Sequence, residues 1–154
     1  NRQAAFDELE RANLRTALIG DISRLVSAMQ AAQRGYLLTG ATDLRVQYDA
    51  GQVALRTQLD ALEAGSVRQS RREAIAEIKA AVDDWHTAVS IPLFRQVDTE
   101  GPGGAGLSDV VLRDGLPRLK RIESLVAQLS ASLRDQSSTQ VTVALASIEN
   151  GMLV

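Results

Sequence analysis

The 154-residue chain contains no cysteine, a single histidine and only five aromatic residues: Phe6, Tyr36, Tyr48, Trp85 and Phe94. Without cysteine there is no disulfide framework, thiolate nucleophile or cysteine-ligated metal site. His86 would need carboxylates as the remaining ligands of a zinc site, and neither H-x3-H nor H-E-x-x-H spacing occurs. The expectation is no metal and no cofactor. No charge-free apolar run reaches the roughly 18 residues of a membrane span. Asn1-Arg2-Gln3 opens into charged helix-forming sequence rather than a signal peptide, so the expectation is an excised domain. The net charge of −2 gives no basic footprint, which argues against nucleic acid as a partner. The 15 arginines against 2 lysines carry no functional conclusion.

What is abundant is leucine and alanine at helical spacing. With three prolines and few aromatics, that composition reads as all-α rather than as a sandwich or barrel. Leu18, Ile22, Leu25, Met29, Ala32 and Tyr36 follow at steps of four and three, which places one apolar seam down a first helix over about 2–39. The seam decays at Arg11 and Arg15, and Gly40 is the stop. Thr42 or Asp43 is the expected cap of a second helix over about 43–64, with Leu44, Tyr48, Gly51, Leu55, Leu59 and Leu62 on its buried stripe. A third helix over about 67–98 carries Ile75, Ile78, Val82, Trp85 and Val89, with Pro92 expected to kink or end it. Glu100 to Gly106 reads as a flexible loop. The last helix spans about 108–148, with Leu116, Leu119, Ile122, Val126, Leu129 and Leu133 as its core stripe and a disturbance at Gly115 and Pro117.

Short first and second turns make these neighbours antiparallel, so the expected architecture is one domain over 1–154: an up-down-up-down four-helix bundle. At 1.5 Å per residue the first and last helices are each roughly 60 Å long and the second about 33 Å. Both chain ends lie at one end of such a bundle, so the long helices project beyond it as a two-helix stalk. That arrangement suits a domain tethered at both termini to one surface, such as a membrane. Between Gln136 and Val154 the only charge is Glu149, which suits either a helix nearing a bilayer or a polar helix end.

Little in the chain offers chemistry. If Trp85 is core, His86 falls about 100° away on the flank and reads as an ordinary flank histidine, the alternative being a ligand contact. Asp83-Asp84 and Arg71-Arg72 read as solvated faces. The glycine-rich loop follows a helix and is not followed by lysine, so it fails as a phosphate cradle. Gly35 and Gly51 each cost their helix about 1 kcal/mol relative to Ala, which points to close approach of a neighbour. No catalytic residue emerges, and Tyr48, Trp85 and His86 stand as the ligand-binding candidates.

The run Gln33-Arg34-Gly35-Tyr36-Leu37-Leu38-Thr39-Gly40 resembles the signature of CHASE3 domains, extracytoplasmic sensor modules of bacterial signalling proteins. Tyr48, the leucines at 55, 59 and 62, Trp85 with Pro92-Leu93-Phe94-Arg95, and Gly115 are similar to later family positions in order, over roughly residues 20 to 135. Gly65 to Gln69 departs from the family's Asn-Pro-x-Gln style turn. The resemblance implies a non-enzymatic sensory or signal-relay domain, in the periplasmic part of an inner-membrane receptor. Flanking transmembrane helices, a small-molecule or protein signal, a homodimer and a histidine kinase, chemoreceptor or cyclase output belong to the same implication. The rival reading is a structural bundle that docks a partner protein.

Overall fold

The computed structural model describes residues 2–152; the expected domain ends at Asn1 and at 153–154 lie outside the described residues, as do the side chains of 136–138, 140, 141 and 152 within the polar C-terminal stretch. The described chain is all-helical, with no strand. Helix α1 is Arg2–Thr39, α2 is Thr42–Ala64, α3 is Gln69–Trp85 and α4 is Ile91–Glu100, followed by the short α5 at Leu107–Val110 and the long α6 at Leu116–Met152. The helix bounds differ from expectation by a few residues at most places. The second helix begins at Thr42, the third rod runs 69–100 and the last begins at Leu107, because that leucine is itself buried in the core.

Helix α1 stops because Gly40 takes φ +66°, a conformation that side chains with a Cβ disfavour, and donates its N–H to the Tyr36 carbonyl at 2.8 Å. The expected cap of α2 is not made by Thr42 or Asp43. Ala41 is the N-cap, without a side-chain bond, and its carbonyl accepts from Leu44 N–H at 3.0 Å. The Oγ of Thr39 accepts from Ala41 N–H at 3.1 Å, so the turn is closed from the helix before it. Asp43 is left in the first turn of α2, where its carboxylate complements the helix dipole.

Pro92 does not break the third rod. It lacks an N–H and its ring would press on the carbonyl four residues back, and the chain relieves both by widening one turn. His86–Ser90 forms a π turn, in which Ile91 N–H donates to the carbonyl of His86 five residues back. Pro117 has the same effect: Val111–Gly115 is a second π turn, closed by Leu116 N–H to the Val111 carbonyl. The extra residue moves the buried seam onto Gly115, so Leu116, expected in the core, is 40% exposed. A Cβ at Gly115 would lie 3.4 Å from Val89 Cγ1, which puts the two π turns in contact at one level.

Contacts between rods give their directions. Leu44 lies against Gly35 and Met29 against Gly51; Arg56 pairs with Asp83 and Lys79 with Asp60; Asp84 pairs with Arg118. In the first two sets, and in the third once Val89 against Gly115 is added, numbers rise on one helix as they fall on its neighbour. Gln33 with Ser90 and Tyr36 with Asp98 rise together, so the first and third rods point the same way. The core runs along this assembly from Ile19 and Leu133 to Tyr36 and Leu107.

Beyond it, α1 and α6 continue alone, and Arg2 still lies beside Gly151. The α1 seam does not simply decay there. Ala12 is buried and Arg15, only 8% exposed, packs its stem inward and pairs with Glu8 at 3.4 Å. The 101–106 loop is tied down rather than loose: Gly103 N–H donates to the Leu37 carbonyl at 2.8 Å, and Pro102 packs against Gly40.

Candidate functional site

The buried aromatic rings, Tyr36, Tyr48, Trp85 and Phe94, meet in one layer at the level of the first π turn and the start of α4. Helix α2 supplies Tyr48, which is wholly buried (0% exposed) because Gly51, one turn on, lets Met29 of α1 close against the backbone. The Tyr48 ring stands edge-on to Phe94, with centroids 4.8 Å apart, and is tilted against Trp85 at 5.8 Å. Its hydroxyl lies 2.8 Å from His86 Nδ1 and the two rings stack at 19°. Tyr36 meets Phe94 edge-on at 5.2 Å. Arg45 lies over the Phe94 ring, 4.2 Å from its centroid, and pairs with Asp98 and Asp49 at 3.7 Å each. The Tyr36 hydroxyl donates to Asp98. Behind this, buried Gln33 donates to the Ser90 hydroxyl at 2.9 Å.

Burial sets the protonation of the layer. It pushes the Tyr48 hydroxyl up to about 12, against a smaller opposing hydrogen bond from Ser90. It lowers His86 below the ordinary histidine value, with Asp49 and Asp83 opposing and Arg45 assisting. Tyr36 is raised, chiefly by its hydrogen bond to the Asp98 carboxylate and then by burial. Neutral His86 with its hydrogen on Nε2 accepts at Nδ1 from the Tyr48 O–H. Protonated His86 would donate at both nitrogens, and Tyr48 would have to turn its hydrogen away. The pair is a hydrogen bond with two exclusive arrangements.

The three ligand candidates of the sequence are therefore brought together, but unequally. Trp85 and Tyr48 are closed to solvent, and a solute reaches neither ring without opening the packing; His86 is half-buried at the edge. In the Arg34 to Gly40 run, Tyr36 and Leu37 face the core, Gly35 receives the Leu44 side chain, and Gly40 makes the stop. Arg34 and Leu38 face outward. Sequence reasoning missed Ser90, Arg45 and Asp98, which read as unremarkable polar residues, and named Gln33 only as part of the Gln33 to Gly40 run; the one available signal was that Gln33 and Ser90 fall on apolar stripes at helical spacing. Among the described residues no group of acids and histidine is arranged to hold a metal ion, and no helix is long and apolar enough to cross a membrane.

The model of the CHASE3 domain family matches residues 7–142, which takes in the whole aromatic layer and the outward-facing Arg34 and Leu38. No curated relative and no solved structure matches the chain.

Proposed function

The chain belongs to the CHASE3 family of extracytoplasmic sensory domains of signalling receptors, and from that premise we propose that it is the sensing and relay unit of a membrane-bound bacterial receptor. In this reading one domain, an up-down-up-down four-helix bundle, is held between two transmembrane helices, works as a homodimer and stands in the periplasm. It passes displacement of its long helices to a histidine kinase, chemoreceptor or cyclase output. A CHASE3 domain is a sensor and not a catalyst.

The observation that carries the reading is the pairing of α1 with α6. The two longest helices run side by side past α2 and α3, and they still lie together at Arg2 and Gly151. A shift between them at the far end arrives at one place, side by side, where two tethers would transmit it. The π turns supply a level at which a rod can change register by a small step. A signal moves the helices only as far as it prefers one arrangement over the other.

The test is the parent protein's sequence and topology on either side of residues 1 and 154. Apolar spans of about 20 residues on both flanks, with a reporter inserted at the 101–106 loop active only outside the cytoplasm, are the expected result. Flanks without such spans, or a reporter active in the cytoplasm, overturn it.

A further inference from the structure

At the end of the molecule away from Arg2 and Gly151, the last turn of α1, the 101–106 loop and α5 line a cavity of about 400 Å³ that is open to solvent on one side. Leu37 and Leu107, both buried, form its floor. Leu38, Val111 and Leu112 form its walls, and two of these are strongly exposed for leucine, Leu38 at 66% and Leu112 at 63%. Core packing does not account for Leu38, since its neighbours Tyr36 and Leu37 already fill the inward face of that turn. The volume lies in the range of small-molecule sites, roughly 300–1,000 Å³, and an apolar lining with one fixed charge is their usual chemistry.

The charge here is Arg34, one helical turn before Leu38, which lines the same cavity. Among the described residues Arg34 has neither an ion pair nor a hydrogen bond. Arg11, Arg24, Arg56 and Arg113 are each paired with a carboxylate; Arg34 shares its unpaired state with the exposed Arg68, Arg95 and Arg121, and what marks it is its place on the lining of this cavity. The Ser108 hydroxyl adds a second polar group to the lining. The walls are held in place without a ligand, because Gly103 N–H is bonded to the Leu37 carbonyl and Pro102 packs on Gly40.

We propose that this cavity binds a small amphipathic monocarboxylate, its apolar body against Leu38, Leu107, Val111 and Leu112 and its carboxylate on the Arg34 guanidinium. A planar guanidinium takes a carboxylate through two parallel hydrogen bonds. A compact hydrophilic anion would leave the leucines wet, and an uncharged apolar solute would leave Arg34 unused. The occupant would touch the end of α1 and the start of the rod that becomes α6, so it bridges the two helices that reach the tethered end. The site rests on the sensory reading for its purpose; its chemistry stands on the cavity alone.

The experiment measures binding to this chain, with octanoate and phenylacetate as probes and their uncharged amides as matched controls, followed through methyl NMR shifts. Saturable shifts are expected at the methyls of Leu38, Leu107, Val111 and Leu112, with each carboxylate bound about tenfold more tightly than its amide, a difference within reach of one charged hydrogen-bonding pair. Arg34→Gln removes that preference and leaves the amide's weak binding. Leu112→Asp abolishes both. The two positions are exposed, and an unchanged thermal melt certifies each variant as folded. Equal binding of carboxylate and amide, shifts confined to other leucines, no shifts at millimolar probe, or self-association that masks these methyls in favour of a second copy would each overturn the proposal. None of these outcomes touches the membrane topology on which the sensory reading is tested.

Discussion

Adding one methyl group at Gly51 should fail to stabilise this domain, while the same addition at Gly20 should stabilise it. Both glycines lie inside long helices, where Gly→Ala is worth about 1 kcal/mol in helix propensity. At Gly20 the new Cβ would meet only the Arg24 guanidinium at 3.7 Å, an ordinary contact. At Gly51 it would lie 2.6 Å from Met29 Cγ, and Met29 is buried, so the clash falls on the middle of a side chain with nowhere to go. Overpacking of that kind costs about 1–3 kcal/mol. Gly51→Ala should therefore come out between roughly neutral and 2 kcal/mol destabilising, and Gly20→Ala about 1 kcal/mol stabilising. In a chain of this size 1 kcal/mol moves Tm by about 2–4 °C, so thermal unfolding resolves the difference between the two substitutions. A double-mutant cycle adds the cause. Met29→Ala alone should cost about 2–5 kcal/mol, and distinctly less in the Gly51→Ala background, where the new methyl occupies part of the space. If Gly51→Ala raises Tm as Gly20→Ala does, the close approach of α1 to α2 that seats Tyr48 is wrong.

Gln33→Ala leaves the buried Ser90 hydroxyl without its donor and should cost about 1–3 kcal/mol, read from urea unfolding. His86 has its folded pKa below the ordinary value, so the folded state holds fewer protons than the unfolded chain in mild acid. Stability present above the usual histidine range should be lost as pH falls through the folded pKa, and His86→Asn should flatten that part of the pH profile. Tyr48 moves the other way, from 10.0 up to about 12. Its contribution, about 1.4 kcal/mol for each tenfold change in proton affinity, should persist below pH 10 and disappear between pH 10 and 12. Tyr48→Phe should reduce the alkaline loss and leave the part that Tyr36, also raised, contributes.

The helices were legible because their causes are local. Steps of three and four from Leu18 to Tyr36 permit only a helix with one apolar face, and Gly40 at its end needs no distant partner to stop it. The seam of Ile75, Ile78, Val82, Trp85 and Val89 is buried throughout, as its period requires. Pro92 was legible as a disturbance but not as a π turn. Whether a strained turn breaks, kinks or widens depends on the contacts on either side, and the rod here is held at both ends by the core. The same effect at Pro117 put Gly115 inside and Leu116 outside, reversing a position that periodicity alone assigns to the core.

The sequence by itself determined that this chain is all-helical, where its long helices lie and, through the Arg34 to Gly40 run, the family to which it belongs. Only the tertiary structure decided which side chains share a site. Tyr48 meets His86 across 38 positions and Gln33 meets Ser90 across 57. Arg34 and Leu38 share a cavity with Leu107 and Leu112 because the glycine loop folds back on the end of α1. Periodicity fixes the face of a helix, since it depends on neighbours three and four residues away. It leaves open the height at which that face meets its partner, which is set when glycines, a methionine and two widened turns find the one register that packs.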